Sequence, residues 1–306
     1  MRVVSWGRRL AVSAIALLFL LHLFLLRESF RSKSPDNVAK PSQQGVSHHF
    51  VLIYDQIPSS ALCAVESLSK LTDTVHVWVK HPDQRIPFSV TTHVINMTEI
   101  FLDTPLLGFI FPGNYSTYNV ANGLRLAIVY KYGGVYMDTD FLVYKVPGIA
   151  LPPGYAKEDG ILTNSAIFRF DQGSPLAFEL MRRFVLEYKG DVWGHQGAKL
   201  FTRTINDWPS PLLHWNPMLV YPYLYRQTEL FFLARDLPLD DDVVAVHLWS
   251  SFSESRERRI LCSKRYELSW LARERASLCP VTFAEMMQPC PERRLIRYNR
   301  NLGIGE

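Results

Sequence analysis

A chain of 306 residues that is 48% hydrophobic, 13% aromatic and 20% charged has the composition of a globular protein, long enough for one large domain. Its 33 basic and 29 acidic residues leave a net charge of +4, so no strong polyanion-binding field exists and nucleic acid is excluded as the expected partner. Four cysteines (Cys63, Cys262, Cys279 and Cys290) lack C-x-x-C or Cys/His metal spacing. They fit two disulfides in an oxidising lumen as well as they fit four buried thiols.

Arg8 and Arg9 precede an uncharged apolar run, Leu10–Leu26. At helical rise it spans roughly 25 Å, enough for a thin bilayer. No small-residue cleavage site follows, so the run reads as an uncleaved signal anchor behind a short tail, residues 1–9. Residues 27–48 are polar, contain Pro35, Pro41 and Gly45, and read as a stem; residues 49–306 form the body. The positive-inside rule does not orient the anchor, because Arg and Lys flank it on both sides. Two N-glycosylation triplets, at Asn96 and Asn114, together with the cysteines, point to a lumenal body.

The body opens with a buried-strand pattern at Phe50–Tyr54. A helix is expected over Ser59–Leu71, capped by Ser59 or Ser60, then strands at Val75–Val79 and around His93–Ile95. Strands alternating with helical runs argue an α/β sheet with crossover helices. Ala121–Lys131 is a helix, apolar almost all round and therefore buried, with Arg125 inside it as either a core-edge ion pair or a ligand contact. It runs into Gly133-Gly134, a strand at Val135–Met137, the carboxylate pair Asp138-Thr139-Asp140, and a strand at Phe141–Tyr144. In an extended chain residues i and i+2 share a side, so both carboxylates can converge. Like charges that close need a proton or a cation between them. A hard divalent cation takes such oxygens together with substrate phosphates. A solvated turn is the plainer reading of Asp-x-Asp, but acids wedged between two buried strands are costly without a function.

Asn164–Phe170 is a strand, followed by an N-cap and first-turn pair, Ser174-Pro175, and a helix to Tyr188. In Trp193-Gly194-His195-Gln196-Gly197 the glycines either let backbone approach a ligand or turn a corner. Val243–Trp249 is a strand whose His247, on its own, reads as a hydrogen-bonded core residue. Ser253–Arg275, rich in Arg and Glu, reads as a solvated amphipathic helical region.

The run from Asn122 to Lys145, with Arg125, Lys-Tyr-Gly-Gly and the Asp-x-Asp, resembles the sugar-nucleotide-binding signature of the α-1,4-glycosyltransferases. Cys63-Ala-Val-Glu-Ser67, Asp103-Thr-Pro-Leu106, Trp193-Gly-His-Gln-Gly197, Ala245-Val-His-Leu-Trp249 and Cys279-Pro280 with Thr282 and Met286 resemble further blocks of that family in unbroken order. The resemblance implies a GT-A-type fold, a mostly parallel nucleotide-sugar-binding sheet flanked by helices, in a single-pass type II protein of the Golgi membrane. It implies retaining transfer of galactose or an N-acetylhexosamine from a UDP-sugar to a glycolipid or glycan acceptor, with Mn²⁺ (or Mg²⁺) on Asp138, Asp140 and His247. Retention without a second nucleophilic carboxylate suggests front-face attack, with Gln196 behind the anomeric carbon and Asn122, Arg125, Asn164 and His195 around the sugar. Three departures stand out: Asn122 where the family usually has Asp, Ser250-Ser251 where it often has Asn-Lys, and Ala198 where it has Pro. The first of these favours a rival reading, a tethered sugar-binding homologue with weak or no activity.

Overall fold

The computed structural model describes residues 45–110, 115–208 and 213–290. The expected tail, anchor and stem up to residue 44, the Asn114 sequon and the chain beyond residue 290 lie outside them. Among the described residues no helix is long and apolar enough to cross a membrane.

The body begins earlier than the stem reading placed it. Strand β1 is His48–Leu52 and all five of its residues are buried. It is followed by helix α1 (Ser59–Ser69), β2 (Val75–Val79) and β3 (Thr91–Val94). Helix α2 (Thr117–Tyr132) leads to β4 (Gly134–Met137) and β5 (Phe141–Val143). Then come β6 (Gly154–Lys157), β7 (Thr163–Phe170), α3 (Pro175–Leu186), α4 (Ala198–Asn206), β8 (Leu213–Trp215) and β9 (Ala245–His247). Helices α5 (Ser250–Ile260), α6 (Trp270–Leu278) and α7 (Pro280–Met287) close the described chain.

Seven strands form one sheet in the order β3-β2-β1-β4-β7-β6-β8. The β1/β2, β2/β3, β1/β4 and β6/β8 pairs are parallel, whereas β4/β7 and β6/β7 are antiparallel. The sheet is mostly parallel, as expected, with β7 alone running against the other six strands. Strand β1 shows why helices cover both faces: Phe50 and Leu52 enter one core with α1, and Val51 enters the other with Trp78 and residues of α2 and α3.

Helix α2 is set by its ends. Ser116 accepts the Asn119 amide at its start, and Gly133, at φ 67°, stops it. Gly134 (φ 97°) then lies so close to the segment before β1 that a Cβ would meet the Ser47 carbonyl at 2.3 Å. The Gly-Gly pair therefore delivers β4 beside β1. Helix α1 differs from expectation at its start: Pro58 occupies the N-cap position and no side chain caps it.

Two blocks far apart in sequence form one structure. Cys63 of α1 is disulfide-bonded to Cys279, 216 residues on. One turn from Cys63, buried Glu66 accepts the Val281 and Thr282 amides at 3.1 and 2.8 Å, capping α7. A second disulfide joins Cys262 to Cys290, so the thiol alternative is excluded. The Arg/Glu-rich segment is also more than a solvated surface. Glu257 and Arg275 are buried and paired with each other, and the Tyr266 hydroxyl donates to Glu257 at 2.6 Å.

Candidate active site

A cavity of about 670 Å³ opens beyond the end of β4 and beside the start of β7. Met137 ends β4, and the Asp138 amide donates to the Ala166 carbonyl at 2.7 Å. The segment from Asp138 to Asp140 is a bend rather than a strand. Both carboxylates nevertheless reach one point, because β9 pairs with β5 in the register Phe141↔His247. The Leu248 amide donates to the Asp140 carbonyl, fixing the two segments together. Potential ligand atoms of Asp138, Asp140 and His247 all lie within 4.8 Å of one another. Two carboxylates and an imidazole suit a divalent cation such as Mn²⁺ or Mg²⁺, with substrate oxygens completing the set.

Each carboxylate is held from its own side. Arg125, buried in α2, reaches Asp138 at 3.2 Å, donates to the Ser165 carbonyl at 2.8 Å and lies over the Tyr136 ring. The Tyr136 hydroxyl donates to Asp138 at 2.6 Å. Burial raises the Asp138 carboxyl above its ordinary range, and Arg125 offsets this only in part. Asp140 goes the other way. Burial would raise it, but His247 at 3.1 Å and the Ser250 amide at 2.8 Å hold it down at about 2. Ser250 can donate because Trp249 adopts a left-handed conformation (φ 54°), a strained geometry for a side chain this bulky. That turn aims the start of α5 at Asp140, so the Ser250 position contributes through its backbone.

Helix α2 supplies a second wall. Asn122 is 1% exposed, lines the cavity, and its Nδ2 has no partner. Arg125 follows it on the same face, as the i to i+3 spacing requires. Asn164 also lines the cavity. Its Nδ2 donates to Glu158 at 2.5 Å, and its Oδ1 accepts the Ala166 amide.

Glu158 was missed by sequence reasoning. It follows β6 at a register shift, is 8% exposed and lines the cavity, with its carboxyl raised by burial against the partial offset of the Asn164 bond. The local sequence Lys157-Glu-Asp-Gly160 reads as a polar turn, and only the fold turns Glu158 inward.

Two expected site residues lie outside the cavity lining. Gln196 is buried outside the cavity lining: its Nε2 donates to the Phe184 and Glu187 carbonyls and its Oε1 accepts the Lys189 amide. The side chain ties down the end of α3. His195 is likewise outside the lining, with Nε2 against the Glu187 carbonyl at 2.9 Å. In the same motif Trp193, Gly194 and Ala198 do line the cavity. Asn96 is exposed and caps the short helix Met97–Phe101, accepting the Glu99 amide.

A mostly parallel α/β sheet, with two acids and a histidine gathered beyond its strand ends, defines a sugar-nucleotide-type site built on an Asp-x-Asp motif. Comparison with known proteins agrees. Residues 58–156 match the family described as "Glycosyltransferase sugar-binding region containing DXD motif" and residues 169–286 match "Alpha 1,4-glycosyltransferase conserved region". The chain carries a match to each of these two regions, in that order along its body.

It is 29% identical over 212 residues to the orangutan (Pongo pygmaeus) lactosylceramide 4-alpha-galactosyltransferase, covering 63% of this chain and 94% of that one. It is 27% identical over 215 residues to the human alpha-1,4-N-acetylglucosaminyltransferase, covering 63% and 61%. The same region spans 58% of the human galactosyltransferase. Among solved structures, the apo-form glycosyltransferase GlyE of Streptococcus pneumoniae is 14% identical, with a TM-score of 0.44, over 79% of this chain and 64% of that one.

Proposed function

We propose that the chain is a retaining hexosyltransferase of GT-A type. In this reading it moves galactose or an N-acetylhexosamine from a UDP-sugar to a terminal sugar of a glycolipid or glycan, in α-1,4 linkage. The observation that carries the reading is the convergence of Asp138, Asp140 and His247 at one end of the cavity. These three residues would hold a divalent ion, which would supply charge neutralisation for a diphosphate.

The chain's own residues prepare that site. Arg125 and Tyr136 orient Asp138, while His247 and the Ser250 amide keep Asp140 ionised. The start of α5 offers its positive end to phosphate oxygens. Asn122, Asn164 and Glu158 are among the polar groups available to sugar hydroxyls, and Gln196 acts by positioning the loop that carries Trp193. Two disulfides support a lumenal setting, with Asn96 as a glycan acceptor and the N-terminal apolar run as a Golgi membrane anchor.

A second reading, a sugar-binding domain without turnover, is favoured by one residue, Asn122, where an acid is expected. The discriminating experiment incubates purified residues 45–306 with Mn²⁺, a panel of UDP-sugars and lactose. Transfer of one sugar with retention supports the enzyme, and binding without transfer or hydrolysis supports the second reading.

A further inference from the structure

Helix α2 presents three cavity-lining side chains in register: Arg125, Asn122 one turn back, and Tyr118 a further turn back. Seven residues at helical rise separate the first and last by roughly 10 Å along the axis. Arg125 marks the diphosphate end, because it is paired with Asp138. Away from that end the wall opens. Arg125 and Asn122 are buried and Tyr118 is half-buried, and against Tyr118 lies Trp193, which is 64% exposed. The two rings are stacked, centroids 4.7 Å apart and planes at 14°.

An indole that exposed is an expensive ornament on a soluble surface, yet this one is fixed in place. One face rests on Tyr118, and the segment before it is tethered by Asn119, whose amide donates to the Tyr188 hydroxyl and the Gly190 carbonyl. Gly194, at φ 71°, lets the chain turn directly after the indole.

We infer that the Trp193–Tyr118 stack is the acceptor-sugar platform, taking the apolar C–H face of a pyranose, in particular a galactoside. The inference rests on the proposed glycosyltransferase reading and deepens it by naming the acceptor subsite. Order along α2 then follows reaction order: diphosphate at Arg125, transferred sugar at Asn122, acceptor ring at Tyr118 and Trp193. A pyranose with its C–H groups gathered on one face stacks on an indole by the same area burial and quadrupole attraction that pair aromatic rings. A phenyl ring retains part of that surface and an alanine none.

The test titrates the purified chain with octyl β-lactoside by calorimetry and measures UDP binding with Mn²⁺ in parallel, in wild type, Trp193→Ala and Trp193→Phe. The expected result is a roughly tenfold or greater rise in lactoside Kd for Trp193→Ala, recovered in large part by Trp193→Phe, with UDP binding unchanged. Unchanged lactoside affinity in Trp193→Ala overturns the platform. So does a parallel loss of UDP binding, which would put Trp193 on the donor side. A wild type that binds lactoside through Trp193 but never binds UDP supports the platform and defeats the glycosyltransferase reading, so the two failures are distinct.

Discussion

Acidification tests the central sheet directly, because β1 begins with two buried imidazoles. His48 and His49 are each 1% exposed, and burial lowers them from 6.5 to about 4 and about 3. Both are spent on neutral hydrogen bonds: His48 Nε2 accepts the Gly148 amide, and His49 Nε2 donates to the Gly133 carbonyl. A histidine whose folded pKa lies below its unfolded value contributes stability that is complete above the unfolded pKa and lost as pH falls towards the folded one. Between pH 6 and 4.5 each histidine therefore removes about 1.4 kcal/mol per pH unit, and the two together remove about 4 kcal/mol over that window. That is a large part of the roughly 5–15 kcal/mol available to a domain. His76 and His93, also lowered by burial, add in the same direction. The assay is a series of urea unfolding curves from pH 7.5 to 4.5 on wild type and His49→Gln. The variant should be less stable at pH 7.5, yet its stability should fall less steeply with acid, by about 1.4 kcal/mol per pH unit. Parallel pH dependences in two cooperatively unfolding proteins would refute the reasoning.

Three further outcomes are expected. In the chain-entropy account, removing the Cys63–Cys279 bridge, which closes 216 residues, costs about 5 kcal/mol, against about 3.5 kcal/mol for Cys262–Cys290, which closes 28. Paired serine variants compared by thermal unfolding check this, and an equal or larger loss at Cys262–Cys290 would sink it. Glu158→Gln should raise the unfolding temperature at pH 7.5 and leave it unchanged near pH 4, while slowing transfer. A buried acid with a raised pKa destabilises the fold once it ionises, so a variant no more stable at pH 7.5 would contradict the raised value. Asn122→Asp should speed transfer from UDP-galactose several-fold, a charge-assisted bond exceeding a neutral one by about 1 kcal/mol. Identical rates on every UDP-sugar would remove Asn122 from the donor contacts.

The elements with strong local patterns were legible in the sequence. Val75–Val79 falls as expected, β7 runs Thr163–Phe170 against an expected Asn164–Phe170, and Ser174-Pro175 opens α3 as its cap chemistry requires. Helix α2 starts four residues before the expected Ala121, because Ser116 caps it ahead of the apolar run. Strands β6 and β8 and helices α4 and α7 were not anticipated; Gly-Tyr-Ala-Lys is too short and mixed to show a period.

The Asp138–Asp140 pair was readable because its acids interrupt buried strands. Pairing His247 with it took a family resemblance, since the contact spans 107 residues and depends on the β5/β9 register. That Gln196 and His195 lie outside the cavity lining was not legible for a related reason. Nothing local reveals that the carbonyls left free at the end of α3 will claim both side chains. Glu158 escaped notice because burial of a turn residue is a tertiary property.

Asp138, Asp140 and His247 are expected to hold a cation that in turn holds a nucleoside diphosphate. The measurement is UDP binding by calorimetry to residues 45–306 with Mn²⁺, with EDTA, and in a folded Asp140→Asn variant. Binding that requires Mn²⁺ and weakens roughly a hundredfold in the variant is the predicted result, a loss of several kcal/mol of metal–phosphate interaction. UDP binding of equal strength in EDTA and in Asp140→Asn would contradict it.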